Sequence, residues 1–472
     1  MSVNAEKELW VVNHDKLREP SRKKYNSLAR AITRERIMGD PQLVAPQPKG
    51  LTKLAIGVGI GSIVEYYDIF VAAPAAAIVW PTVFFAWASP AIASALALVA
   101  FGSSYLLRPV GAVIFGHFGD KLGRRSMVLA TMSLMGISMA GMGLDPSYAS
   151  IGISSVVLLL IFRALTGVSL GGEFGGGVSW LVEHAANSKW RAFWTLWAQP
   201  STIGSAFASF AFASVAAVFG PELLTIGWRI PFLLGASLIV IAIVIRYTLE
   251  ESPLFRSLYE KKLVEKSPVL VAVKQYWKQI LLLGLVFAII ITAGGGLQAY
   301  YGTAYLVASG VTSSFASFSA GVGAAAGSIF LVVGAICGDK IGRKRTFLIS
   351  LVGVLVAIIV YIPLLSTLNP VAILSGQIFE QVTAAIGIAM SSVVFAEYFP
   401  TRVRYSASGL SYNLAQLISG VMITFVMPSI VASNGGVIRS APFVVASVVI
   451  LAIISLACGL KIRETSGDRM AL

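Results

Sequence analysis

The chain has 472 residues, of which 56% are hydrophobic and only 12% are charged, whereas soluble globular domains carry about 25% charged residues. This composition excludes an ordinary soluble protein and indicates an all-α membrane protein with several spans. The formal net charge of +14 would suggest nucleic-acid binding in a soluble protein, but here Lys and Arg lie in loops between apolar runs and direct topology, so no nucleic-acid partner is expected.

The first 53 residues form a polar segment that precedes the first apolar run. They contain eleven Lys or Arg and six Asp or Glu, and they lack the hydrophobic stretch that a signal peptide requires. We expect residues 1–53 to be a solvated tail. Beyond the tail, apolar windows of about 20 residues predict twelve transmembrane helices over residues 54–79, 90–115, 126–144, 151–182, 191–219, 229–249, 278–306, 313–337, 346–366, 370–396, 406–432 and 439–460.

The distribution of Lys and Arg predicts how these helices are oriented. If the tail is cytoplasmic, the loops on the opposite side keep only two basic residues, Arg229 and Arg439. The positive-inside rule therefore places both termini in the cytoplasm of a multi-pass protein of the cell (plasma) membrane. The longest internal loop, residues 250–277, is mixed in charge and is interpreted as a cytoplasmic linker.

A short charged loop occurs twice, which indicates an internal duplication. Residues 116–125 read GHFGDKLGRR and residues 338–345 read GDKIGRKR, with Asp120 and Asp339 separated by 219 positions. Any tight hairpin near lipid head groups favours Gly and basic residues, which is the alternative explanation. The repeated order of Asp, Lys, spacer, Gly and Arg is more specific than that.

A second repeat supports the same division of the chain. Glu183 at the end of the fourth predicted helix and Glu397 at the end of the tenth are both followed by basic residues, and they are 214 positions apart. Two unrelated motifs with nearly one offset predict two pseudo-symmetric six-helix halves, residues 54–249 and 278–461. Residues 462–472 then form a cytoplasmic C-terminal tail.

These motifs resemble those of the major facilitator superfamily of transporters over about residues 54–467. Within that superfamily, GSIVEYYDIF from Gly61, RALTGVSLGGE from Arg163 and GWRIPF from Gly227 are similar to the metabolite:proton symporters. The second loop departs from the pattern at Ala335, so we expect it to be the weaker copy. The resemblance implies the twelve-helix major facilitator fold and gating roles for Gly116, Asp120, Gly123, Arg124, Arg125, Asp339, Gly342, Arg343, Glu183 and Glu397.

Ionisable residues inside the predicted helices are candidates for proton coupling, because a charge near the bilayer centre costs several kcal/mol and needs a partner or a function. Glu65 and Asp68 are three residues apart and share one helix face. Two like charges in a poorly solvated site bring one carboxyl into the range of proton exchange near neutral pH. Arg163 lies at a similar depth, so we expect the three groups to form one electrostatic unit that faces a central cavity, the alternative being a structural pair.

Three more charged residues inside the predicted helices, Arg108, Glu173 and Glu380, each allow two interpretations. Arg108 and Glu173 lie in the inner part of the membrane, where a pair between them would close the cytoplasmic side, although Arg108 could instead extend to the interface. We expect Glu173 to take part in proton coupling and Arg108 to contact substrate. Glu380 in the tenth helix is either a second proton site or a helix–helix hydrogen bond.

The seventh predicted helix contains the run Gly294-Gly295-Gly296 followed by polar and aromatic residues. Bent helices near the interface of two repeats are where transporters build substrate sites. For the tyrosines the alternative is an aromatic belt at the membrane interface. The candidates for substrate binding are Tyr66, Arg108, Gln298, Tyr300 and Tyr301.

Two absences refine the functional interpretation. The sequence has no Walker-type Gly-x4-Gly-Lys-Ser/Thr run, so ATP is not expected as the energy source, and the fifth helix lacks the Gly-Pro-x-x-Gly-Gly order associated with exchangers of this superfamily. Cys337 and Cys458 lie in apolar segments and the three histidines are dispersed, so no metal or other cofactor is expected.

We therefore predict a monomeric secondary transporter, not an enzyme. It imports a small organic metabolite, a carboxylate or a zwitterion, with protons by alternating access, and its partners are the lipid bilayer, the substrate and protons. A proton-driven exporter or uniporter of the same fold and a non-transporting membrane sensor are the alternatives.

Overall fold

The computed structural model describes residues 51–122, 124–172, 174–185, 188–247 and 268–466. These residues are helical apart from short connections, and none of them forms a strand. Most of the predicted N-terminal tail, most of the linker and the chain from residue 467 lie outside this part of the structure.

Twelve main helices can be followed along the described chain. Ten of them, together with the short helical segments that extend them, contain a window that is long and apolar enough to cross a membrane, and the other two, α3 and α6, contain the shorter apolar helices Leu129–Leu144 and Arg229–Val244. The prediction of an all-α protein with twelve helices is confirmed. The main helices are α1 (Leu51–Pro74), α2 (Pro90–Leu122), α3 (Arg124–Leu144), α4 (Ile153–Gly171), α5 (Ser201–Phe219), α6 (Arg229–Tyr247), α7 (Pro268–Ile291), α8 (Ser313–Ile341), α9 (Arg343–Ser366), α10 (Pro370–Glu397), α11 (Thr401–Val421) and α12 (Val437–Gly459).

The predicted fifth helix, residues 191–219, is interrupted in the structure. A short helix, Arg191–Thr195, and a 3-10 turn, Leu196–Ala198, precede Gln199, whose φ of −143° and ψ of 58° are not helical. Pro200 explains the break, because proline has no N–H and disfavours helical conformation at the residue before it. The break leaves the Gln199 side chain buried.

The seventh helix begins earlier than predicted. α7 starts at Pro268, so the end of the predicted linker is helical, with a kink at Tyr276 where φ is −125° and ψ is 16°. Proline suits the first position of a helix, because the N–H at that position has no partner within the helix. The predicted fourth helix is also divided, with α4 ending at Gly171 and a second segment, Phe174–His184, completing it.

Among the helices that the structure describes, three change to π-helical geometry within the membrane-spanning part. The π-helical segments are Ala75–Val79 after α1, Thr292–Gly302 after α7 and Met422–Val426 after α11. Wide turns of this kind are often found at functional sites. The longest of them contains the glycine run for which the sequence predicted a bend.

The first six and the last six helices contact each other most extensively along two helix pairs, α5 with α8 and α2 with α11. We use "basic end" for the end of the bundle that holds residues 188–195, 339–344, 397–404 and 463–465, and "opposite end" for the other. At Gly420 the backbone of α11 approaches Tyr105 of α2 so closely that a Cβ atom would lie 2.9 Å from the Cβ of Tyr105. Between these two lines of contact, space remains at the centre.

Candidate functional site

A cavity of about 50 Å³, partly open to solvent, lies at the centre of the bundle between the two sets of six helices. Side chains from α1, α2 and α5 line it on one side. Side chains from α7, α10 and α11, with the backbone of the π-helical segment after α7, line it on the other. Its wall is mostly aromatic and aliphatic, with a few polar groups, which is the usual character of a small-molecule site. Of the predicted substrate-binding residues, Tyr66 and Arg108 line this cavity.

Three polar groups of the cavity wall have hydrogen-bonding capacity that the protein does not use. Arg108 Nε, Ser201 Oγ and Gln416 Oε1 are buried and have no hydrogen-bond partner among the described residues. The Arg108 guanidinium carbon lies 4.9 Å from the centre of the Tyr105 ring, which holds the cation at the wall. Because an unsatisfied buried polar group costs about 1–3 kcal/mol, a ligand with an anionic group and a hydroxyl or amine would be favoured here.

An aromatic pair closes the cavity toward the opposite end. The rings of Phe101 on α2 and Tyr300 in the π-helical segment after α7 are stacked, with centres 5.7 Å apart and planes at 14°. The Tyr300 hydroxyl donates a hydrogen bond of 2.9 Å to the Ser94 carbonyl oxygen. This closure joins the first six helices to the last six through two contacts.

A second aromatic layer closes the cavity toward the basic end. Tyr412 on α11 stacks on Phe174, with ring centres 3.7 Å apart and planes at 6°. Its hydroxyl forms hydrogen bonds of 3.1 Å with the Tyr66 hydroxyl and with Gln199 Nε2. Gln199 Oε1 in turn accepts a 2.6 Å hydrogen bond from the Ser391 hydroxyl. Contacts between the two sets of helices therefore narrow the cavity at both ends.

Asp68 and Arg163 lie behind the cavity wall, and both are 0% exposed. Arg163 Nη2 donates to the Phe101 carbonyl oxygen at 2.7 Å and to Ser104 Oγ at 2.6 Å. Both carboxylate oxygens of Asp68, and Nε and Nη1 of Arg163, have no hydrogen-bond partner in the described part of the chain. Asp68 interacts electrostatically with Arg163 and with Arg108.

The structure thus brings Asp68 and Arg163 together, but the expectation that they face the cavity is wrong. On α1 the lining residues are Tyr66, Ile69 and Phe70, and the 100° step of a helix places Asp68 on a different face from them. Glu65 is only half-buried and interacts electrostatically with Tyr66 and Tyr412. Of the two acids, Asp68 is the one held in a fully buried site.

The predicted substrate-binding residues of the seventh helix support the wall rather than line it. The backbone at Gly294 and Gly295 lines the cavity. Gln298 Nε2 donates to Gln377 Oε1 at 2.6 Å, and Gln298 Oε1 accepts from Gln381 Nε2 at 3.1 Å. Tyr301 turns toward α12, where its hydroxyl lies 2.7 Å from Ser440 Oγ.

At the basic end, Asp339 joins the last six helices to the first six. Its two carboxylate oxygens accept hydrogen bonds of 3.0 and 3.1 Å from the backbone N–H groups of Ala192 and Phe193, and one of them also accepts a 2.7 Å bond from Arg343 Nη1. The N–H groups belong to the first turn of a short helix, where an anion is favoured. Ala335, where the second loop departs from the pattern, is fully buried, and the expectation that this loop is the weaker copy stays a prediction because the side chains of the first loop lie outside the described part of the structure.

Glu397 is the second anion of this network. Its carboxylate oxygens lie 2.6 Å from Arg191 Nη1 and 3.5 Å from Arg343 Nε, and one oxygen accepts a 2.6 Å hydrogen bond from the Thr465 hydroxyl. A further ion pair of 3.8 Å joins Arg404 Nη1 to Glu183 Oε1. Both glutamates predicted to act in gating therefore pair with arginines across the two sets of helices.

Gly342 and Glu464 complete the basic end on the side of α9. Gly342 has a φ of +105°, in the region that favours glycine, and a Cβ atom there would meet the Glu464 carboxylate. Glu464 accepts hydrogen bonds from the N–H groups of Arg343 and Lys344 at 2.8 and 3.1 Å. Partial burial opposes its ionisation, but backbone N–H groups outweigh burial and lower the pKa of this carboxyl.

Part of the predicted site cannot be placed. Glu173 and Gly123 lie outside the described residues, and so do the side chains of residues 116–126. The roles expected for Gly116, Asp120, Arg124 and Arg125 stay predictions. The described backbone shows only that α2 continues to Leu122 and that α3 begins at Arg124.

Several polar groups at the cavity were not predicted from the sequence. Gln199, Gln381 and Gln416 line it, together with Tyr105 and Tyr412. A sequence signal existed for the amides, because a side-chain amide inside a predicted apolar helix needs a hydrogen-bond partner or a function.

Comparisons with known proteins agree with this architecture. The inner membrane metabolite transport protein YhjE of Escherichia coli is 29% identical over 389 residues, which cover 79% of this chain and 86% of YhjE. The shikimate transporter of the same organism is 28% identical over 407 residues, which cover 81% of this chain and 89% of that protein.

Among solved structures, a partially occluded inward open conformation of the xylose transporter XylE from E. coli matches with a TM-score of 0.69, covering 89% of this chain and 100% of that one. At 16% identity this likeness concerns the fold alone. The family model of the Major Facilitator Superfamily matches residues 58–424. Because this match spans most of the chain, the protein is a multi-pass member of the Major Facilitator Superfamily and thus a transporter rather than an enzyme.

Proposed function

We propose that this protein is a secondary active transporter that imports a small organic carboxylate, or a zwitterion that carries one, together with protons. The observation that carries the proposal is the central cavity, which Arg108 lines while the buried carboxyl of Asp68 lies behind the same wall. Arg108 is a fixed cation for a substrate carboxylate, and Asp68 is a group that can bind a proton. The protein acts as a monomer in the cell membrane, with both termini in the cytoplasm.

Alternating access follows from how the cavity is closed. Each closure depends on a few aromatic contacts and hydrogen bonds between the two sets of helices, such as the stacking of Phe101 on Tyr300 at one end and of Tyr412 on Phe174 at the other. Such contacts can break without unfolding either set. Opening at the opposite end admits substrate and protons, and opening at the basic end releases them.

Coupling follows from competition for positive charge. Asp68 has no hydrogen-bond donor among the described residues, so its ionised form depends on the electrostatic interaction with Arg163 and Arg108. A substrate carboxylate at Arg108 competes for that charge, and a proton on Asp68 relieves the competition. Substrate and proton therefore favour each other's binding, as two linked ligands must.

The sequence relatives agree with a carboxylate substrate. One relative is named for shikimate, which carries a carboxylate, and another is named only as a metabolite transport protein. The unused hydrogen-bonding groups of Ser201 and Gln416 in the cavity favour a substrate with a hydroxyl or amine in addition to its carboxylate.

Uptake into proteoliposomes tests this proposal. The panel contains hydroxylated carboxylates including shikimate, a betaine, and an uncharged sugar, each offered with an imposed pH gradient of either sign. We expect a carboxylate to accumulate only when the proton gradient points inward, and to lose accumulation when a protonophore is added.

The Arg108→Gln variant links this result to the cavity. Loss of a charge-assisted hydrogen bond of about 1.5–3 kcal/mol should raise the KM for the carboxylate by about tenfold or more. The exposed Lys274→Gln serves as the control and should leave KM unchanged. Uptake that does not depend on the pH gradient would indicate a uniporter. Proton-driven export of internal substrate would indicate an exporter, and binding without uptake would indicate a sensor.

A further inference from the structure

Glu380 on α10 is a buried acid that the proposed transport mechanism does not use. Its side chain is 0% exposed, and it belongs to the last six helices, whereas Asp68 belongs to the first six. Both of its carboxyl oxygens lack a hydrogen-bond partner among the residues that the structure describes. The group therefore needs an explanation of its own.

A structural role does not account for this acid. A neutral carboxyl that stabilised the packing of helices would use its O–H or its C=O in a hydrogen bond, and Glu380 uses neither in the described structure. An ionised carboxylate without a donor or a cation would cost several kcal/mol in this position. Glu380 must therefore carry a proton in the closed form of the protein, and that proton is not donated to a hydrogen bond within the described structure.

Among the described residues, the groups with which Glu380 interacts are polar and uncharged. Tyr361 of α9 is the titratable group that interacts with it electrostatically, and Gln377 precedes it by three residues on α10. The Tyr361 hydroxyl lies 3.2 Å from Gln377 Oε1, which also accepts the hydrogen bond from Gln298 of the π-helical segment. Helix α8 contributes Ser319, whose hydroxyl accepts from Gln377 Nε2 at 3.4 Å.

This polar chain ends at the cavity. Gln298 Oε1 accepts from Gln381 Nε2, and Gln381 lines the cavity. Gln298 lies in the π-helical segment whose Tyr300 closes the opposite end. A movement that opens that end therefore displaces the groups around Glu380 and allows water to approach along them.

We propose that Glu380 is a second proton-binding site, which holds a proton in the closed form and exchanges it with water when the cavity opens. On loading, a hydronium ion from the opened side transfers a proton to the carboxylate, giving a carboxylic acid and water. On release the reverse transfer occurs to water at the other side. The inference rests on the proposed proton symport but adds a second proton for each substrate transported.

The ratio of protons to substrate, measured from reversal potentials in proteoliposomes, tests the proposal with Glu380→Gln. Glutamine keeps the shape of the side chain but cannot exchange a proton. We expect the ratio to fall by one proton per substrate in this variant and to stay at the wild-type value in Asp145→Asn, which neutralises a buried acid outside the spans. An unchanged ratio in Glu380→Gln with proton-coupled wild-type transport would overturn the second site alone. A wild type without proton coupling would instead overturn the proposed function.

Infrared difference spectroscopy covers the case in which Glu380→Gln does not transport. The carbonyl stretching band of a protonated carboxyl is followed in wild-type proteoliposomes while the pH is raised and substrate is added to start the transport cycle. We expect a band that disappears reversibly in the wild type and is missing in Glu380→Gln. A band that persists in the wild type at every pH and substrate concentration would show that Glu380 never releases its proton, and would overturn the proposal. Dependence of the band on Na⁺ rather than on pH would overturn it equally.

Discussion

At the scale of single residues, Asp68 and Arg163 interact through space rather than by a hydrogen bond. Arg163 Nη2 donates hydrogen bonds to the Phe101 carbonyl oxygen and to Ser104 Oγ on α2, which fix the position of the side chain. Its Nε and Nη1 have no hydrogen-bond partner in the described chain. Asp68 interacts electrostatically with both Arg163 and Arg108. Removal of one of these charges should therefore change the environment of the others.

A double-mutant cycle measures this dependence. Asp68→Asn and Arg163→Gln are each expected to lower proton-driven uptake, because each leaves an uncompensated group at a fully buried position. The double variant should be less damaged than the sum of the two single losses, with a coupling of about 0.5–3 kcal/mol. Uptake rates at matched expression, with folding checked by thermal stability, supply the four values. Strict additivity would mean that the two groups act independently.

Asp145 offers a separate test of burial outside the membrane spans. Its carboxyl oxygens have no hydrogen-bond partner among described groups, and burial raises its pKa to about 7, while Arg229 acts in the other direction. The folded state therefore binds this proton more tightly than the unfolded state, whose pKa is about 3.9. The stability that protonation provides is lost as the pH rises from about 4 to about 7.

Asp145→Asn should consequently raise the melting temperature in detergent more at pH 8 than at pH 5. Asparagine keeps the size of the side chain and removes the charge that burial penalises. Glu222→Gln, at an exposed carboxyl of the same end, should give the same small change at both pH values. Equal stabilisation of Asp145→Asn at pH 5 and pH 8 would contradict the raised pKa.

The residue scale also shows which parts of the site the sequence could predict. Asp68, Arg163 and Arg108 could be found because a charge inside an apolar helix is costly and therefore conspicuous. Their orientation could not be found, because sequence spacing places residues on a common helix face without showing which face meets the cavity. The lining amides Gln381 and Gln416 were missed because an uncharged amide carries a weaker signal than a charge.

At the scale of helices, α2 and α4 are held together by small residues. A Cβ atom at Gly171 would overlap the carbonyl oxygen of Arg108, and one at Gly167 would overlap that of Ser104. Backbone atoms cannot move aside as a flexible side chain can, so these positions set the distance between the two helices.

Gly171→Ala is therefore expected to destabilise the protein by about 1–3 kcal/mol. The matched control is Gly177→Ala, where the nearest atom to the added methyl group would be Val58 Cγ1 at 3.5 Å, an ordinary contact. Thermal unfolding in detergent compares the two variants. Equal melting temperatures would show that α4 can move away from α2 at little cost.

The helices themselves could be predicted where a window was long and hydrophobic enough to span a membrane. The breaks and π-helical segments within them could be predicted only in part. Pro200 marks the interruption before α5, but a hydropathy window averages over a single proline. The glycine run at residues 294–296 indicated a bend, and the structure has a π-helical segment there. The π-helical segments at Ala75–Val79 and Met422–Val426 have no comparable glycine run, because the choice of a wide turn depends on packing between helices.

At the scale of the whole molecule, the basic end is closed by one connected set of charges. Asp339 and Glu397 share Arg343, and each also contacts the segment that begins at Arg191. These contacts are made by the second copy of the repeated loop, although the sequence suggested that the first copy is the stronger. A departure at one position, Ala335, does not disturb them, because the contacts come from Asp339 and Arg343.

Asp339→Asn should therefore weaken the closure of the basic end. Asparagine keeps one acceptor oxygen but loses the charge that Arg343 and two backbone N–H groups share, a change of about 1.5–3 kcal/mol. A cysteine at Ser201, in a background without Cys337 and Cys458, should react about tenfold or more faster with an impermeant maleimide applied from the basic end. Glu222→Gln is the control at the opposite end. Unchanged labelling and full transport would show that the network is not a gate.

If substrate and proton move together through this cavity, as we propose, a simultaneous measurement of both fluxes will show it. Proteoliposomes without an initial pH gradient receive a carboxylate substrate while an enclosed indicator reports the internal pH. We expect substrate entry to acidify the interior in the wild type, and Asp68→Asn to exchange internal for external substrate while the acidification is reduced or lost. Substrate entry without any acidification in the wild type would contradict it.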